Sequence, residues 1–249
     1  MPTTAISGCA DADKLQSMYF ANDIVLKQLH STKPKYTTGV DGHPTIVYVK
    51  CSSRLDSPLS MLYNLFMSTS TIPSDWKRSV ITPVFKKGSS IDPSNYRPIA
   101  STCIASKIME GCIKNEVIAH MFKFGVISKH QHGFLAKHST VTQMFECVND
   151  WSFTLNIGHS VDIIYIDFAK AFNKVVHTKL LFKLQYYGID GLVLKEIEQF
   201  LIDRLQCVGV NVHYSNFIAV LSGVPQGSVL GPILFLISIN DICGAISDC

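Results

Sequence analysis

The chain has 249 residues, of which 47% are hydrophobic and 16% charged, with a formal net charge of +3. That much apolar material with so little charge excludes intrinsic disorder, a collagen or coiled-coil rod and a small disulfide-stapled scaffold. A net charge of +3 is too small by itself to announce a nucleic-acid binder.

The opening MPTTAISGCADADKLQ has neither the basic start nor the apolar run of a secretory signal. Residues 11–30 carry helical spacing, with Leu15, Met18, Tyr19, Ile24, Leu26 and Leu29 on one side. The turn-rich stretch STKPKYTTGVDGHP follows, then a helical segment from Leu59 to Met67. Alternation over residues 80–85 predicts a strand that runs into Lys86 and Lys87. After the turn chemistry of SSIDPSNYRP, one stripe (Ile104, Ile108, Cys112, Ile113, Val117, Met121) predicts a helix over 104–122.

His130 and His132 flank Gln131 and read as polar surface in a turn rather than a metal site, because no further ligand follows at zinc spacing. A helix is predicted over 139–155, capped by Ser139 or Thr140. The short apolar run Ile163–Ile166 suits a buried strand, and it closes on Asp167. A carboxylate backed by hydrocarbon needs a partner, which a cation, a helix N-terminus or a divalent metal could each supply. Helices are predicted over 178–187 and 190–203, the second started by Asp190. A strand pair follows over 206–212 and 216–221. The last feature is a Gly-flanked Pro225-Gln226 turn, with Ser228 as a helix cap.

No CxxC pair occurs among the eight cysteines, which read as reduced, buried thiols of an intracellular protein. The best candidate for a membrane span, Val229–Ile239, is only eleven residues long and is broken by Gly231 and Pro232, so membrane insertion is not expected. Between Asp75 and Lys137, ten Lys and Arg residues face four acids, a concentration suited to phosphate contact or to a solvated face. Helices and strands alternate without a regular βαβ beat, so the fold class is α+β.

Together the motifs resemble the reverse transcriptase of non-LTR (LINE-type, jockey-like) retrotransposons. The matching stretches are GVDGHP (39–44), Trp76-Lys77 with ITPVFKKG (81–88), NYRPIA (95–100), SKIMEG (106–111), QHGFLAKHST (131–140), VDIIYIDFAKAFNKVVH (161–177) and SGVPQGSVLGPILFLISIND (222–241). The resemblance implies the fingers and partial palm of a right-hand polymerase over 76–249, preceded by a helical extension over 1–75. It implies an RNA-directed DNA polymerase working by two-metal nucleotidyl transfer on an RNA template, a DNA primer and deoxynucleoside triphosphates. Asp167 would be the catalytic carboxylate, binding Mg²⁺ (or Mn²⁺) with help from the backbone of Phe168. Phe172 would crowd the sugar 2′-position, Gln226 and Gly227 would support the incoming nucleotide, and Lys86, Lys87 and Arg97 would contact its triphosphate.

Two departures from the family pattern stand out. No adjacent Asp-Asp pair occurs in the 249 residues, and Asn173 stands where the family has Asp. The expectation is therefore a fragment lacking the palm hairpin and thumb, with little activity alone and exposed apolar surface in the uncharged stretch between Arg204 and Asp241. A rival reading is a non-catalytic nucleic-acid-binding or interaction remnant of a retroelement. The compartment, nucleus or cytoplasm, is left open.

Overall fold

A computed structural model describes residues 13–242. Cys9, Cys243, Cys249 and Asp248 fall outside the described residues. Three helices come first: α1 (Asn22–Ser31), α2 (Thr45–Lys50) and α3 (Ser52–Thr69). The expected helix over 11–30 is shorter, because residues 15–16 spend their backbone groups elsewhere. Leu15 donates to Gly188 O at 2.9 Å, while Leu15 O and Gln16 O accept from Asp190 and Leu192 at 3.0 and 2.7 Å. Gly191 (φ +58°) permits that approach, since a β-carbon there would lie 2.6 Å from Gln16 O.

Strands β1 (Arg78–Phe85) and β2 (Tyr96–Ser101) form an antiparallel hairpin that places Val84 opposite Arg97. Next come α4 (Ile104–Lys123) and α5 (Thr140–Asn156), then α6 (His177–Tyr186) and α7 (Gly191–Leu201). The Asp190 carboxylate caps the start of α7 by accepting from Gly191 N at 2.9 Å. The expected pair of strands is realised as β3 (Leu205–Val210), β4 (His213–Tyr214) and β5 (Ile218–Ala219). Strand β3 runs antiparallel to both short strands and parallel to β1, so the sheet is mixed, in the order β2-β1-β3-β4 with β5 also on β3.

The last helix, α8 (Gly231–Ile239), is apolar on every side and buries Ile233, Leu234, Leu236 and Ile237. A helix of that kind belongs in a core. One cluster joins these side chains to Phe20, Leu29 and Tyr63 of the N-terminal part, Ile108 and Met121 of α4, and Leu184 and Ile197 of α6 and α7. Each large apolar side chain so buried contributes roughly 1.5–3 kcal/mol. Among the described residues no helix is long and apolar enough to cross a membrane.

Two expectations fail locally. Residues 161–168 form no strand, and Ile164 and Tyr165 are about four-fifths exposed. A continuous apolar run becomes a strand only where a neighbour completes its ladder, and none of the described strands pairs with it. His132 is not surface but buried, with ring nitrogens 2.8 Å from Thr142 Oγ1 and 3.1 Å from Glu146 Oε2. It ties down α5, whose Ser139–Thr142 capping box is complete but which buries no side chain of its own. Exposed apolar surface is accordingly concentrated on α5 (Val141, Met144, Phe145, Val148) and on residues 163–168. In the uncharged stretch it is found at Val208, Val210, Val212, Phe217, Ile218 and Leu221, whereas α8 is covered.

Candidate functional site

The β1–β2 hairpin, the loop after residue 168 and the Pro-Gln-Gly turn enclose a cavity of about 600 Å³. Its lining brings together Lys86, Arg97, Phe172 and Gln226, which lie up to 140 positions apart in the sequence. The hairpin delivers the two cations to one end, where Lys86 N also donates to Asn95 O at 2.8 Å. Lys170 lines the same cavity and was not singled out from the sequence. Its left-handed backbone (φ 56°) is a sparsely populated conformation for a residue with a β-carbon. Among the described residues three cations and no carboxylate line this space, an arrangement suited to phosphate oxygens.

Phe172 is held as a wall. Its ring stacks on Phe235 of α8 (centroids 5.0 Å apart) and meets Phe134 edge-on at 5.9 Å. The turn over 222–228 grips the same loop through its backbone. Val224 N donates to Phe172 O (2.9 Å), Gly223 N to Val175 O (2.8 Å) and Ser222 Oγ to Asn173 O (3.1 Å). Gly223 (φ +85°) has no room for a β-carbon, which would lie 2.7 Å from Asn173 Cα. A second cavity of about 470 Å³ lies against the same turn, sharing Asn173 and Gln226 and bordered by the buried Arg204.

The remaining residues singled out from the sequence lie outside the 600 Å³ cavity. Lys87 is exposed beyond the end of β1, and Gly227 packs against β2. Phe168 lines a separate groove of about 330 Å³ between α6 and α8, together with Lys174, Lys179 and Lys183. Asp167 is exposed, and among the described residues it makes no hydrogen bond or ion pair.

A family model described as reverse transcriptase (RNA-dependent DNA polymerase) matches residues 84–249. The chain belongs to the reverse transcriptase family. Relatives of this reverse transcriptase domain include the probable RNA-directed DNA polymerase from transposon BS of Drosophila melanogaster, 29% identical over 88% of this chain and 24% of that protein. The RNA-directed DNA polymerase from mobile element jockey of the same species is 31% identical over 74% of this chain and 20% of that protein. A retrovirus-related Pol polyprotein from type-1 retrotransposable element R2 of Popillia japonica is 29% identical over 36% of this chain and 15% of its own length. These matches place its domain with the reverse transcriptases of non-LTR elements, and the chain spans about a quarter or less of the curated relatives it matches.

Polymerases of this sort use divalent metal ions, which need several converging oxygen ligands. Among the described residues of this reverse transcriptase domain, no group of three or more His, Cys, Asp or Glu side chains converges in that way. Asp167 by itself does not make a two-metal centre, so the described residues do not fit the metal pair.

Proposed function

We propose that this chain supplies the nucleotide-binding part of an RNA-directed DNA polymerase, whose substrates are an RNA template, a DNA primer and deoxynucleoside triphosphates. The observation that carries this reading is the convergence of Lys86, Arg97, Lys170, Phe172 and Gln226 on one cavity. The cations would take the triphosphate, since ionised hydrogen bonds to phosphate are about twice as strong as neutral ones. Phe172, braced by Phe235, would form the wall beside the sugar and exclude a 2′-hydroxyl by its bulk. Gln226 would offer its amide to the base pair.

Equilibrium binding of dTTP and UTP to the 249-residue chain tests this. The reading requires dTTP to bind more tightly than UTP, with Phe172→Ala narrowing the difference. Equal affinities unaffected by that substitution would overturn it.

Asp167, exposed and without a partner among the described residues, favours a second reading, a nucleic-acid-binding remnant without chemistry. Primer extension on poly(A)/oligo(dT) with Mg²⁺ separates the two. Incorporation abolished by Asp167→Ala supports the enzyme, whereas background incorporation together with salt-dependent RNA binding and no preference for dTTP over UTP supports the remnant.

A further inference from the structure

Glu110 lies in the middle of α4 and is 3% exposed, an expensive place for a carboxylate unless its oxygens are satisfied. They are. Oε2 accepts the backbone N–H groups of Val229 (2.7 Å) and Leu230 (3.1 Å), and Oε1 accepts Ser106 Oγ–H at 3.1 Å. These backbone groups enter α8, whose first N–H groups have no acceptor within the helix. Ser228 Oγ takes the next one, Gly231 N, at 3.0 Å, and Pro232 has none to offer. Three successive N–H groups leading into α8 are therefore satisfied by side chains. A carboxylate placed there also gains from the helix dipole.

The same short segment carries Gln226. Its carbonyl accepts from Ala100 N at 2.7 Å, Ser228 Oγ donates to Pro225 O at 2.8 Å, and Val224 N reaches Phe172 O at 2.9 Å. Residues 224–230 are thus held at three places: by Phe172 on entry, by Ala100 in the middle and by Glu110 on exit. We propose that Glu110 is a positioning residue for the cavity, fixing Gln226 through the first turn of α8. This rests on reading the cavity as a nucleotide site. Arg204 supplies the nearby positive charge; burial pushes the Glu110 carboxyl upward, while the Leu230 and Val229 N–H groups and Arg204 draw it back.

Hydrogen exchange on the whole 249-residue chain reads the positioning directly. In Glu110→Gln, the amides of Val229, Leu230 and Ala100 should exchange at least tenfold faster, with those of α6 and α7 unchanged. Ala100 does not touch Glu110, so an unchanged Ala100 amide overturns the proposal. Titration with dTTP and with inorganic tripolyphosphate reads the consequence. The variant should bind dTTP about tenfold more weakly and tripolyphosphate as before, because the phosphate-holding cations stand on the β1–β2 hairpin and at Lys170. Equal loss of both ligands would make Glu110 merely structural and overturn the proposal. Should the unaltered chain bind neither ligand, the nucleotide reading fails and the exchange rates still decide on the positioning. Glu110→Asp gives the same comparisons if the glutamine variant does not fold.

Discussion

Gly227 passes so close to Ala100 that a β-carbon at position 227 would lie 2.3 Å from the Ala100 carbonyl oxygen. Its φ of +128° is also a conformation that side-chain-bearing residues rarely adopt. Backbone cannot yield as a flexible side chain can, so Gly227→Ala should destabilise the protein by roughly 3 kcal/mol. Because the turn also carries Gln226, nucleotide binding should weaken in parallel. Chemical denaturation together with dTTP titration checks both, and an unchanged midpoint would show that the turn can lift off β2.

The cations at the cavity should act additively on the triphosphate. Lys86→Ala, Arg97→Ala and Lys170→Ala should each raise the Kd for a deoxynucleoside triphosphate about tenfold, in line with a charged hydrogen bond of roughly 1.5–3 kcal/mol. Lys87→Ala, whose side chain lies outside the cavity lining, should change it far less. Titrations at two salt concentrations would show the screening that exposed charges require. A Lys87 effect equal to that of Lys86 would mean that the hairpin end is a diffuse patch.

Glu196 makes stability depend on pH. Burial raises its carboxyl to about 7, partly opposed by Lys77, and among the described residues its Oε2 has no hydrogen-bond partner. The native state then holds the proton more tightly than the unfolded chain does. Stability is full below the ordinary carboxylate pKa and falls as pH rises to about 7, by on the order of 3 kcal/mol. Thermal melts should show Tm declining over that window and level above it. Glu196→Gln should raise Tm at pH 8, leave it little changed at pH 4 and reduce the slope; Glu110, raised in the same direction, keeps part of it.

The thiols should divide by environment. Burial, reinforced by donation to Asp41 Oδ2 at 2.8 Å, pushes Cys103 up to about 12, and burial does the same for Cys112. Only the thiolate is nucleophilic. At pH 8 a maleimide should therefore modify the exposed Cys51 rapidly and leave Cys103 and Cys112 untouched until the protein unfolds, as peptide mass mapping would show. Fast labelling of Cys103 would mean that the contact between the 39–44 turn and the start of α4 opens readily.

The exposed apolar face of α5 and the 163–168 segment should make the chain associate. Phe145→Lys or Ile164→Lys should lower the weight-average mass in sedimentation velocity without lowering Tm, since neither side chain is buried.

Much of the fold could be read from local pattern. Helix α4 follows its stripe to within a residue or two, α7 starts at Asp190, and β1 follows the alternation that leads to Lys86. Other features could not be read this way. Leu15 keeps helical spacing with its neighbours, yet its backbone bonds to Gly188 and Asp190, a pairing that no local window contains. His132 looks like turn surface until α5 folds over it. Lys170 and Glu110 gave no local signal of their roles, because one depends on a cavity wall and the other on the start of a helix 119 residues away.

The alternation and the helical stripes are properties of residues near one another in the chain and pointed to the fold class, while the resemblance carried by the motifs pointed to the family and, with it, to Lys86, Arg97, Phe172 and Gln226 as candidates. Only the tertiary structure decided that these four share one cavity, that Glu110 caps the helix behind it, and that the IIYI run bearing Asp167 stays irregular and exposed. The reason is physical: spacing fixes which face a side chain presents, whereas a ladder, a cap or a cavity exists only when a distant segment brings the matching surface.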